Sequence, residues 1–153
     1  MPELGDPAPE ITLPRDGGGT VSLSDFAGRP VVLYFYPRAS TSGCTKQASG
    51  FTELMPRFEA AGATVLGVSK DPVGKLDRFR DKYELGVTLL SDEESHVCED
   101  YGVWQEKKMY GKAHMGIVRT TFLIGADGKI AQIWPKVKVD GHVQAVLDAV
   151  EAL

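Results

Sequence analysis

The chain has 153 residues, 42% of them hydrophobic, which suits one domain over residues 1–153 large enough to bury a core. A net charge of −4 gives no electrostatic case for nucleic acid or an acidic membrane surface as partner. Two cysteines cannot make a disulfide framework, no apolar run approaches the ~18 residues of a membrane span, and MPELGDPAPE lacks the basic and apolar regions of a signal peptide, so a cytoplasmic location is expected.

Ile11-Thr12-Leu13 and Val21-Ser22-Leu23 are short alternating runs on either side of Asp16-Gly17-Gly18-Gly19, the pattern of a hairpin with a loose turn. Ser24-Asp25-Phe26 predicts one helical turn before Gly28 and Pro30 break it. Val31–Tyr36 is apolar, β-branched and aromatic without interruption, as expected of a strand buried on both faces, and Pro37 ends it. Ala48, Phe51, Leu54, Met55 and Phe58 then share one side of a helix that Gly62 closes and Pro56 should bend. Thr64–Ser69 is a second buried strand. Asp71-Pro72 reads as a cap with proline in the first turn of a helix whose inward face is Leu76, Phe79 and Tyr83.

Val87–Leu90 predicts a short strand, and Ser91-x-x-Glu94 a capping box that starts a helix through about Tyr101. Gln105–Gly116, QEKKMYGKAHMG, is basic and broken by glycine; it reads as an irregular solvated surface loop, with bordering the entrance to a site as the other possibility. Arg119–Ile124 and Lys129–Trp134 flank Ala126-Asp127-Gly128 as a hairpin. Asp140-Gly141 opens a last helix with Val143, Val146, Leu147, Val150 and Leu153 on its apolar side. The order predicts an α/β architecture, a central mixed sheet flanked by helices and preceded by an N-terminal β-hairpin.

Cys44 falls near the start of the helix after Val31–Tyr36. Unpaired N–H groups there favour negative charge, and the thiolate is the nucleophilic form. A free thiol of pKa ~8.5 is only about 3% ionised at pH 7, so a drop of ~2.5 units gains roughly thirtyfold. That is small beside the ~10⁶-fold accelerations of enzymes, so a second group must stabilise charge on the attacked atom or its leaving group. The plainer alternative is a small buried hydrophobe at a strand–helix junction.

Tyr36-Pro37, then Thr41-x-Gly43-Cys44-Thr45 with Gln47, resembles the active-site signature of thiol peroxidases of the peroxiredoxin Q, or bacterioferritin comigratory protein, subfamily. The likeness extends along the chain: Gly5-Asp6-x-Ala8-Pro9, Val21–Gly28, Leu89-Leu90-Ser91-Asp92, Tyr101-Gly102-Val103-Trp104, Arg119-x-x-Phe122-Leu123-Ile124 and Asp127-Gly128-Lys129. The resemblance implies a thioredoxin-like (peroxiredoxin) fold and a peroxidase acting on hydrogen peroxide and organic hydroperoxides, with no cofactor and no metal. It implies a peroxidatic role for Cys44, whose thiolate attacks a peroxide oxygen and becomes sulfenic acid. It places the Thr41 hydroxyl against thiolate and peroxide, the Arg119 guanidinium in the thiolate pocket, and the Pro37 ring as a shield over the sulfur. Read alone, Thr41 is a helix cap, Arg119 a solvent-facing strand end, and Pro37 a strand breaker.

The chain departs from the family pattern at Ser42, commonly proline, and at Gln47, often glutamate. Ser49 stands where many members carry a resolving cysteine, and none occurs near Arg80, where others place it. Cys98 reads as a packed core thiol on its short helix. A one-cysteine cycle completed by an external thiol, thioredoxin or glutaredoxin/glutathione, is therefore expected of a monomer, with a Cys44–Cys98 disulfide as the other route. His96, His114 and His142 show no metal-ligand spacing. A disulfide reductase is disfavoured because Cys44 has no Cys-x-x-Cys partner. A thioredoxin-fold binding or holdase protein without turnover is the alternative function.

Overall fold

The computed structural model describes residues 1–153, the side chain of Met109 excepted. The N-terminal hairpin forms as expected, β1 (Thr12–Pro14) antiparallel to β2 (Thr20–Ser22), followed by one 3-10 turn at Leu23–Phe26. β3 (Val31–Phe35) has all five residues buried because it is the middle of a five-stranded sheet. On one side it pairs in parallel with β4 (Thr64–Ser69), which pairs in parallel with β5 (Thr88–Ser91). On the other it pairs antiparallel with β8 (Thr120–Ile124), and β8 with β9 (Ile130–Trp134). The sheet is mixed, in the order β5-β4-β3-β8-β9.

Side chains alternate across a strand, so β3 feeds two cores. Val32, Tyr34 and Tyr36 face a core built with α1 (Ser42–Glu53), α2 (Met55–Ala60), α3 (Val73–Tyr83) and α5 (His142–Glu151). Val31, Leu33 and Phe35 face the second core, closed by the N-terminal hairpin and α4 (Val97–Asp100). Tyr34 stacks on Phe51 of α1 at 4.7 Å between ring centres, an arrangement worth about 1 kcal/mol beyond its area burial. Its phenol fits only because the paired residue on β4 is Gly67, where a Cβ would stand 2.7 Å from the Tyr34 hydroxyl oxygen. Helices on both faces of a mixed sheet give the thioredoxin-like layout implied by the sequence.

Four expectations are corrected. The single helix expected after Cys44 is interrupted: α1 ends at Glu53, Leu54 lies between, and the chain resumes as α2 with Pro56 in its first turn, because Pro56 has no N–H and its ring opposes the carbonyl four residues back. Asp71 does not cap α3; Pro72 holds that position and the Asp71 carboxylate turns inward. The predicted capping box at Ser91 is absent: Ser91 belongs to β5, paired with Ser69, and its hydroxyl donates to the Asp71 carbonyl at 2.7 Å. Buried Asp92 caps instead, accepting the Val97 and Cys98 N–H groups at 3.1 and 2.8 Å, so α4 is a single turn.

The fourth correction concerns Gln105–Gly116, which is ordered as a hairpin, β6 (Trp104–Met109) antiparallel to β7 (Lys112–Ile117). Tyr110 and Gly111, with φ of 53° and 77°, form its two-residue turn of the kind that matches strand twist. The hairpin borders the groove described below, in line with the other possibility for this stretch rather than with a plain surface loop. No helix among the described residues is long and apolar enough to cross a membrane.

Candidate active site

The site begins where β3 runs out. Tyr36 continues the ladder, donating its N–H to the Val68 carbonyl at 3.1 Å, and exposed Pro37 then turns the chain outward. The loop to α1 passes through Ser40 in the left-handed region, φ 64°, a conformation that surrounding bonds must hold. Asp71 holds it: one carboxylate oxygen accepts the buried Ala39 N–H at 2.7 Å and the Ser69 hydroxyl at 2.8 Å. Thr41 is the N-cap residue, yet its hydroxyl donates back to the Arg38 carbonyl at 2.9 Å rather than capping the helix. The first intrahelical bond runs from the Thr45 N–H to the Thr41 carbonyl, so the N–H groups of Ser42, Gly43 and Cys44 lack intrahelical acceptors.

Cys44 stands in this first turn, 1% exposed. β8 runs antiparallel to β3 with Thr120 opposite Phe35, which delivers Arg119 to the strand end nearest the cysteine. One guanidinium nitrogen donates to Cys44 Sγ at 3.2 Å and the other to Gln47 Oε1 at 2.6 Å. Cys44 and Gln47 are three residues apart on one helix face, so a single guanidinium spans both. Gly43 makes room, since a Cβ there would lie 3.2 Å from Arg119 Nη2. The Arg119 carbonyl accepts the Val137 N–H at 2.8 Å, which fixes the backbone that carries the guanidinium.

The inner wall is phenolic. Burial first, then the Cys44 charge, holds the Tyr34 hydroxyl far above its ordinary range, and burial with the neighbouring Tyr34 does the same for Tyr36. The hydroxyls of Tyr34 and Tyr36 and the amide nitrogen of Gln47 are buried without partners. On the far side of the helix face His142, in contact with the Thr121 hydroxyl at 2.8 Å, has its pKa lowered to about 4 by burial and then by Arg119. Among the described residues no three His, Cys, Asp or Glu side chains are grouped to hold a metal.

Of the four residues singled out in sequence, Cys44 and Arg119 meet directly. Pro37 and Thr41 line the groove that the β6–β7 hairpin borders, and the Thr41 hydroxyl is engaged with Arg38 instead of the sulfur. Sequence reasoning did not find the roles of Gln47, Gly43 and Asp71; the three-residue spacing of Cys44 and Gln47 was the available signal for the first. Cys98 is buried in the opposite core, its thiol pushed well up by burial and then by Asp92, and Ser49 is exposed on α1.

A five-stranded mixed sheet carrying a buried cysteine at a helix start, with an arginine from the antiparallel strand against its sulfur, defines a thiol peroxidase on a thioredoxin-like scaffold. The AhpC/TSA family model matches residues 4–133. Peroxiredoxin Bcp of Escherichia coli is 49% identical over 146 residues, covering 95% of this chain and 94% of its own. A solved structure of the bacterioferritin comigratory protein of Xanthomonas campestris, described for its alkyl peroxide reduction activity, superposes with a TM-score of 0.88 at 44% identity over 93% of this chain and 90% of its own. The peroxiredoxin Q of Xylella fastidiosa gives 0.94 at 38% identity over 99% and 97%. The chain belongs to the AhpC/TSA family, in its peroxiredoxin Q or bacterioferritin comigratory branch, and is a peroxiredoxin.

Proposed function

We propose that Cys44 is the peroxidatic cysteine and reduces hydrogen peroxide and organic hydroperoxides in a one-cysteine cycle. The observation that carries this is the Arg119 guanidinium 3.2 Å from the Cys44 sulfur, beside the unpaired N–H groups of the helix start. The thiolate attacks the nearer peroxide oxygen, the O–O bond breaks, and Cys44 becomes a sulfenic acid as water or an alcohol leaves. Arg119 favours the thiolate and supplies a donor for the departing oxygen, the stabilisation that ionisation alone does not give. Thr41 orients the peroxide, its hydroxyl turning from the Arg38 carbonyl toward the incoming oxygen, and Pro37 limits water at the mouth.

The sulfenate is returned to thiol by an external reductant of thioredoxin or glutaredoxin/glutathione type. Ser49 supports this because its hydroxyl cannot form a disulfide, and Cys98 supports it because the sheet lies between the two sulfurs. The chain works as one monomeric domain in the cytoplasm, both cores sharing the same sheet. Mass spectrometry after one equivalent of peroxide tests the cycle: the expected product is a Cys44 sulfenate, trapped by a sulfenate-selective nucleophile and unchanged in a Cys98→Ala variant. A mass two hydrogens lower, with Cys44 joined to Cys98, would replace the external-thiol route by the disulfide route.

A further inference from the structure

Pro37 and Thr41 form one rim of an open groove of about 820 Å³, and the β6–β7 hairpin forms the other. Hydrogen peroxide needs a small fraction of that space, which is of the size that takes up a peptide-sized molecule. The lining is cationic in a chain of net charge −4: it includes Arg38, Lys75 and Lys107. Among the described residues none of these three has a carboxylate within ion-pair distance. Lys70, also in the lining, is neutralised by Asp92 and Glu99 at 3.3 and 2.8 Å and lies 5.1 Å from the Trp104 ring centre, so it braces the floor. The one acid in the lining, Asp71, is occupied by the Ala39 N–H and the Ser69 hydroxyl.

Lys107 is built into this wall. Its stem crosses Gly116, where a Cβ would stand 3.2 Å from Lys107 Cδ. Burial first and the Arg119 charge second lower its pKa, so its ammonium stands in the field of the guanidinium that holds the Cys44 sulfur. The groove therefore offers three uncompensated cations beside a site whose own second thiol is on the wrong side of the sheet.

We propose that this groove docks a low-molecular-weight thiol bearing carboxylates, a glutathione-like peptide, which Arg38, Lys75 and Lys107 hold so that its sulfur reaches Cys44. This rests on the reading of Cys44 as the peroxide-oxidised sulfur. The peptide thiolate attacks the sulfenic sulfur, an S–S bond forms as the S–O bond breaks, and the departing hydroxide takes a proton to become water. A second peptide thiolate attacks the peptide sulfur of that mixed disulfide, giving the peptide disulfide and releasing the Cys44 thiolate. Two thiols supply the two electrons.

The test oxidises the protein with one equivalent of hydrogen peroxide, then follows mixed-disulfide formation at Cys44 by mass with glutathione or its diethyl ester at equal thiolate concentration. Glutathione is expected to react about tenfold faster than the ester at low ionic strength, the ratio falling toward one in about 0.5 M salt and in the Lys75→Gln/Lys107→Gln protein. The ester rate in the same variant reports the reactivity of the sulfenate itself. Equal rates for the two thiols, a ratio insensitive to the double substitution, or reduction by thioredoxin with none by glutathione would each overturn the docking site. Absence of Cys44 oxidation in the first step would overturn the peroxidase reading as well, and shows before any thiol is added.

Discussion

Replacing Arg119 by Met keeps most of the unbranched stem and removes both guanidinium contacts, the 3.2 Å bond to Cys44 Sγ and the 2.6 Å bond to Gln47 Oε1. A preorganised donor aimed at developing negative charge contributes about 3–4 kcal/mol to a transition state, so the second-order rate of Cys44 oxidation by hydrogen peroxide should fall about 10²–10³-fold. Arg119→Lys should restore roughly tenfold of this, since one ammonium keeps the charge but cannot bond sulfur and amide together. Competition for peroxide against a haem peroxidase of known rate measures both. The Met variant also leaves Gln47 Oε1 buried without a donor, a loss of about 1–3 kcal/mol in stability that urea unfolding separates from the kinetic effect. A folded Met variant that loses less than about fivefold in rate would refute the assignment of Arg119 to charge stabilisation.

Gln47→Met removes only the group that orients the guanidinium, and should lower the same rate about tenfold while Gln47→Glu, which still accepts from Arg119, recovers it; equal rates in both variants would show that Arg119 needs no such partner. Asp71→Ala leaves the buried Ala39 N–H and the Ser69 hydroxyl without their acceptor, and should cost about 3 kcal/mol by urea unfolding, with Cys44 oxidised more slowly as the loop at Ser40 relaxes. His142 titrates at about 4 in the fold against 6.5 ordinarily, so the unfolded chain binds more protons between those values. Stability should therefore fall as pH drops from about 6.5 to about 4, by on the order of 2 kcal/mol after screening, and His142→Gln should flatten that part of the profile.

The strands that make the sheet were legible because each is an unbroken apolar run or an alternating one with a turn beside it, as at Val31–Tyr36 and around Asp127-Gly128. The β6–β7 hairpin was not, because most of its described side chains are exposed and its alternation has no apolar half to read; only Tyr110-Gly111 marked the turn. Ser91 misled because a cap sequence lost to a ladder bond with β4, a contact made across more than twenty residues. Asp71 misled for a related reason: its local role as a cap and its distant role under Ala39 have the same sequence signature. Cys44 stood out by its place at a helix start and Arg119 through the likeness of its flanking residues, while their 3.2 Å approach depends on the strand pairing of β3 with β8.

The division of the two sulfurs between opposite cores has a bearing on how the molecule wears out. On the one-cysteine cycle proposed for Cys44, the oxidised sulfur has no neighbour inside the protein to capture it, waits on a collision with something dissolved, and has a lifetime set by how much reductant surrounds it. When peroxide outruns that supply, the same sulfur meets a second oxidant molecule and passes to sulfinic acid, a dead end for turnover. The ratio of oxidant to free thiol, more than the amount of either, then decides how many cycles each copy completes.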